Sequence, residues 1–160
     1  MSKPRQVRGL WKVELHDQGP FTKEPRLKGK AAEGIRYQRK IHRLMEPLES
    51  FGPLLEEPWF RYADTYGVHW CRPDSVLELH DRVLVVEAKL SLRRYEDAMT
   101  QLNKLYRPVV GEFFSKPVAM VMAFKHWIPG VWTFPLVQSP EETFTFPIGK
   151  LKEPVGWHVM

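Results

Sequence analysis

Apolar residues along this chain change period several times, and each change marks an element. Between residues 31 and 46, Ile35, Ile41, Leu44 and Met45, followed by Leu48, recur near the helical repeat, while Arg36, Arg39, Lys40 and Arg43 take the other side. That spacing predicts an amphipathic helix, ended or kinked by Pro47. The repeat then shortens. Residues 59–62 and 76–79 read as strands, His80-Asp81 as a tight turn, and 82–90 as a third strand, β-branched and nearly all apolar up to Val86. A second helix is predicted from Leu92 to about Tyr106, capped by Ser91, with Leu92, Tyr95, Ala98, Met99, Leu102 and Leu105 as its apolar positions. Pro108 leaves the stretch up to Phe114 unassigned. Residues 118–124 read as another buried strand and 131–134 as a further one.

The ends are harder to place. Residues 1–30 read as an arm with one short strand around 10–15, and 126–160 alternate prolines with aromatics such as Phe144, Phe146 and Trp157. The order helix, three strands, helix, strand predicts one α/β domain over 1–160, a central mixed sheet flanked by helices. Its core would span 31–125, between a basic arm and a Pro/aromatic-rich extension.

Charge adds a partner. Residues 1–43 hold 12 of the 24 Lys and Arg against 4 of the 19 acids; the remainder of the chain holds the other 12 against 15. A segregated positive region suits a polyanion, nucleic acid first and an anionic membrane surface second, or else a solvated face kept for solubility. The one cysteine, Cys71, excludes an intrachain disulfide and a cysteine-based zinc site and suits a reducing, cytoplasmic setting. The longest apolar runs are too short to span a bilayer, so no membrane partner of that kind is expected.

The third strand raises a chemical question. Val83 to Val86 mark it as buried, yet it runs directly into Glu87-Ala88-Lys89. Alternation puts Glu87 and Lys89 on one face and Ala88 on the other. A carboxylate and an ammonium at the end of a buried strand are costly to desolvate unless paired or metal-bound. The turn at His80-Asp81 folds the preceding strand back, which brings Asp74 to the same end of the sheet. Two carboxylates and a lysine suit metal-assisted phosphodiester hydrolysis: hard oxygen ligands for Mg²⁺, and a cation for the developing charge. A plain strand-end Glu–Lys pair with Asp74 as a turn residue is the alternative.

Pro73-Asp74, twelve intervening residues and Glu87-Ala88-Lys89 resemble the PD-(D/E)XK nuclease superfamily, whose restriction-endonuclease-like core has the same element order. The resemblance covers about residues 31–125. It implies a DNA-cleaving enzyme with Mg²⁺ or Mn²⁺ as cofactor, held by Asp74, Glu87 and the backbone carbonyl of Ala88, with Lys89 catalytic. It further implies a first-helix acid near the metal, for which Glu33 is the match. RecB-like exonucleases of the superfamily carry a glutamine and then a tyrosine on the second helix; Gln101 and Tyr106 are similar to that pair at a looser spacing. The expected phosphate-binding residues are Lys28, Lys30, Arg36, Arg39, Lys40, Arg43, Arg93 and Arg94.

Within this reading a structure-selective or nonspecific endonuclease is preferred. It would resemble the junction-resolving enzymes of phages, which act as homodimers, and the C-terminal aromatics would either supply the subunit contact or pack in a monomer core. An end-dependent exonuclease is the alternative, and a non-catalytic nucleic-acid-binding protein on the same fold is the alternative of another class. The six histidines lack metal-ligand spacing, and neither a P-loop nor a GxSxG motif is present. His42 could approach the site from the first helix, but a satisfied helix histidine is the preferred reading.

Overall fold

The computed structural model describes residues 6–20, 26–126 and 156–159, the last four, Leu92 and His126 in backbone only. The expected strand at 131–134 and the aromatics Trp127, Trp132, Phe144 and Phe146 lie outside them. The elements are β1 (Lys12–His16), α1 (Gly29–Met45), a 3-10 turn (Glu46–Phe51), β2 (Leu54–Glu56), β3 (Trp59–Asp64), β4 (Gly67–Cys71), β5 (Ser75–Glu78) and β6 (Val83–Ser91). After β6 come α2 (Tyr95–Gln101), a π-helical turn (Leu102–Tyr106), α3 (Arg107–Phe114), β7 (Val118–His126) and β8 (Gly156–Val159).

Two sheets form. The larger is mixed, in the order β2-β5-β6-β7-β8, with β6 and β7 parallel and the other neighbours antiparallel. The smaller is antiparallel, in the order β1-β3-β4. The α/β class and the helix-flanked mixed sheet agree with the sequence pattern, but the strand at residue 59 does not join the central sheet as expected. It pairs with β1 and β4, and the short β2 takes the edge position beside β5. The stretch read as an arm therefore supplies a strand, as β8 does from the extension.

Why the large sheet reads as unbroken apolar runs is visible in its alternation. Val83 and Val85 of β6, with Met120, Met122 and Phe124 of β7, face a core closed by Ala98, Leu102, Tyr106, Val109 and Val110, and by Phe60 and Tyr62 of the small sheet. Leu84 and Val86, with Val121 and Ala123, face the opposite core, closed by Tyr37, Ile41 and Met45 of α1. Both faces are covered, so both sets of residues must be apolar.

Ser91 does not cap the second helix as expected. The strand runs through it, a 3-10 turn at Leu92–Arg94 follows, and Arg94 at the N-cap makes no side-chain cap bond. Nor does Pro108 end the helix, which continues through Phe114. Proline offers no N–H to the carbonyl of Lys104 and crowds it. The chain widens into the π-turn one step earlier, with Arg107 N–H reaching back to the Leu102 carbonyl, and the Lys104 carbonyl takes the N–H of Val7 instead, at 3.1 Å.

Candidate active site

The C-terminal end of β2 and the N-terminal end of β5 meet beside the middle of β6, which runs on to Ser91. The β5–β6 ladder stops at Ser75 opposite Val86, and the β2–β5 ladder stops at Glu56 opposite Ser75. One step further, Glu57, Asp74 and Glu87 come into a row across β2, β5 and β6. Pro73 has no N–H to extend the ladder. Past that point the Ala88 N–H donates to Asp74 Oδ2, at 2.6 Å.

On the face towards α2, Lys89 Nζ donates to Glu87 Oε1, at 2.6 Å. It lies 3.5 Å from Gln101 Oε1. Gln101 Nε2 donates to the Tyr106 hydroxyl, which donates in turn to the Arg72 carbonyl at 3.1 Å. Glu87 is 3% exposed, and its second oxygen, Oε2, is buried without a hydrogen-bond partner among the described residues.

The electrostatics follow from this enclosure. Burial, then the Glu87 charge, raises the Asp74 pKa well above its ordinary value. Burial also raises Glu87, against the pull of Lys89. Desolvation works against the Lys89 ammonium, but the charge and hydrogen bond of Glu87, with Asp74 behind it, outweigh that and raise its pKa. Burial and the two carboxylates raise the Tyr106 phenol further still, so it stays protonated.

Asp74, Glu87, Ala88, Lys89, Gln101 and Tyr106 are thus brought together. The π-turn explains the last pair. Five residues apart, Gln101 and Tyr106 would diverge on an α-helix, and the wider turn returns them to one side. Glu33 is not brought there. Its carboxylate takes Lys125 Nζ at 2.9 Å, from a β7 position that alternation assigns to the α1 face. His42 lies on that face too, with Nδ1 2.8 Å from Ser75 Oγ.

Lys28, Lys30, Arg36, Arg39, Lys40 and Arg43 are exposed at the start of α1 or along it, so they sit behind the sheet as seen from Glu87. Arg93 and Arg94 lie at the entry to α2, on the site's own side, where Arg94 pairs with Asp97 at 3.2 Å and its charge reaches Lys89.

Two residues near the site carried no signal of their own in the sequence. Arg72 stacks its guanidinium 4.6 Å from the centroid of Trp59 and places Nη2 3.8 Å from Glu57. Glu57, within an ordinary Glu-Glu-Pro turn, is set beside Asp74 only by the pairing of β2 with β5.

Among the described residues no three His, Cys, Asp or Glu side chains form a group that could hold a metal ion by themselves. The site offers two carboxylates and main chain, which suits an ion that keeps its waters. No protein-family model, no curated protein and no solved structure matches the chain. No helix among the described residues is long and apolar enough to cross a membrane.

Proposed function

We propose that this protein is a divalent-cation-dependent deoxyribonuclease that hydrolyses DNA phosphodiester bonds at Asp74, Glu87 and Lys89. The observation that carries the reading is Glu87 Oε2, a buried carboxylate oxygen with no partner among the described residues, next to a second enclosed carboxylate. A buried polar atom left without a partner is costly, and a cation between the two acids removes that cost. The order α1, β2, β5, β6, α2, β7 also supports it. With β1, the β3–β4 hairpin and β8 set aside, this is similar to the helix, three strands, helix, strand order of the PD-(D/E)XK core.

Asp74, Glu87 and the Ala88 carbonyl would hold Mg²⁺ or Mn²⁺. When bound, the ion supplies a water of lowered pKa and neutralises phosphate charge. The chain's own groups do the rest. Lys89 keeps a protonated ammonium at the end of the carboxylate row, where it stabilises negative charge developing on phosphoryl oxygens. Gln101 accepts from Lys89 and is itself held by Tyr106, which is anchored on the Arg72 carbonyl, so the ammonium is held in direction as well as in place. Arg72, Arg93 and Arg94 approach the phosphates on the site's side. The α1 cations would take a more distant part of the backbone, positioning it without reading sequence.

Dependence on a DNA end divides two readings. A nonspecific or structure-selective endonuclease, acting as a homodimer at junctions, needs none. A RecB-like exonuclease needs one, and the Gln101–Tyr106 pair beside Lys89 favours this second reading. The test is incubation with closed-circular, linear duplex, single-stranded and four-way-junction DNA, with Mg²⁺ or EDTA. Mg²⁺-dependent cutting of circles or junctions selects the endonuclease, and degradation of linear DNA alone selects the exonuclease. If no DNA is cut, the nuclease assignment fails and a non-catalytic binding protein remains; if Asp74→Ala cuts as wild type does, the assigned site is wrong.

A further inference from the structure

Glu57 has an uncommon backbone conformation in the two-residue connection between β2 and β3. Its φ is 45°, in the left-handed region that side chains other than glycine rarely adopt, and Pro58 follows it. In that conformation its N–H donates to the Asp74 carbonyl, at 3.0 Å. The residue is the outermost of the row Glu57, Asp74, Glu87, and its charge reaches Asp74. Gln38 of α1 donates to Glu57 Oε1 at 2.8 Å, and Arg72 approaches the same oxygen at 3.8 Å. Both contacts go to Oε1, which leaves Oε2 with no protein partner among the described residues. The side chain is 17% exposed, so it is held at the rim and not released into solvent.

Resting on the cation reading above, we propose that Glu57 completes the divalent-cation site as a third carboxylate, acting through water and not by direct contact. Two facts fix the manner. The site contains an unpartnered oxygen on a residue only 3% exposed, Glu87 Oε2, which points to a ligand. Yet no three acids among the described residues are close enough to hold an ion jointly. Mg²⁺ binds through one or two carboxylates and keeps several waters, whose hydrogens need acceptors. Glu57, whose backbone bonds Asp74 and whose charge reaches it, offers such an acceptor in Oε2. This is the place that Glu33 on α1 does not fill; Gln38 of the same helix holds Glu57 there instead. The strained turn is retained because an unstrained one would point the carboxylate away.

The test is Mn²⁺ binding by calorimetry on the full chain, with thermal melts in EDTA, for wild type, Glu57→Gln, Glu57→Gly and Asp74→Ala. Glu57→Gln keeps the shape and removes the charge. It should weaken Mn²⁺ by about 10–100-fold, the range for groups that support metal ligands, without lowering the metal-free melting temperature. Glu57→Gly should weaken Mn²⁺ similarly and raise that melting temperature, since glycine accepts positive φ freely. Opposite signs in the two readouts separate a cation role from a structural one. If Asp74→Ala abolishes binding while both Glu57 variants bind as wild type, Glu57 is excluded and the two-carboxylate site stands. Falling melting temperature with unchanged affinity would make Glu57 structural. A folded wild type that binds no Mn²⁺ would overturn the cation reading and Glu57 with it.

Discussion

Asp74 and Glu87 place opposing demands on the chain, since the enclosure that makes them useful also makes them costly. Both have folded-state pKa values above the ordinary 3.8 and 4.5. In the window between those values and the raised ones, the folded protein holds more protons than the unfolded chain. Stability therefore falls as pH rises through it, and the penalty is complete above the raised values. Without metal, the melting temperature should decline as pH rises above 4.5, and Asp74→Asn should flatten that decline. Mg²⁺ at a hundredfold excess over its dissociation constant should return about 2.7 kcal/mol at neutral pH, and nothing to Asp74→Ala. Melts with and without metal across pH check this.

Lys89 is the counterpart. Its raised pKa contributes stability that is present below 10.5 and lost as pH rises through the folded value. Lys89→Met removes the counter-charge of Glu87, which costs about 3–5 kcal/mol for a buried pair when the survivor is ionised. The loss should shrink in acid, where Glu87 takes up a proton. Turnover should vanish while Mn²⁺ binding by calorimetry survives; loss of that binding together with folding would make the pair purely structural.

At the scale of elements, the second helix is built around one extra residue. The π-turn accommodates it, and the helix resumes with Val109 and Val110 fully buried. Deleting Asn103, inside the turn, should convert it to ordinary helix and leave the flanking turns in register. With Pro108→Ala in the same variant, to remove the crowding of the Lys104 carbonyl, circular dichroism should show no loss of helix and the melting temperature should move little. One alanine inserted after Val110 rotates the following turn by about 100°, which turns Phe114 away from Phe60. Unfolding of the deletion variant would contradict this account of the turn.

At the scale of the molecule, the cations proposed to meet phosphate divide into two sets with the large sheet between them. Neutralising Arg36, Arg39, Lys40 and Arg43 on α1 should weaken binding to all DNA sequences alike. The log–log salt slope should flatten by about 0.9 for each duplex phosphate that is no longer neutralised. Because these side chains are exposed and α1 packs through Tyr37, Ile41 and Met45, the variant should melt as wild type. An unchanged slope would confine the DNA track to Arg72, Arg93 and Arg94.

The sequence by itself determined the elements whose burial repeats along the chain: α1, β5, β6, the start of the second helix and β7. Each presents a covered face, and a covered face leaves a period of apolar residues. The Asp74–Glu87–Lys89 cluster was legible for a related reason, since charge at the end of a buried strand contradicts its surroundings and therefore stands out. What depends on pairing between distant segments left no such mark. β2 is three residues long, too short to show alternation, yet it brings Glu57 beside Asp74. The strand at residue 59 has the right composition for a central strand, and only the partners β1 and β4 decide that it belongs to a second sheet. Glu33 sits on the expected helix, but the tilt and rotation of α1 against the sheet send it to Lys125. Periodicity records which side of an element is covered. The rigid-body placement of one element on another decides which charges meet, and only the tertiary structure fixes that.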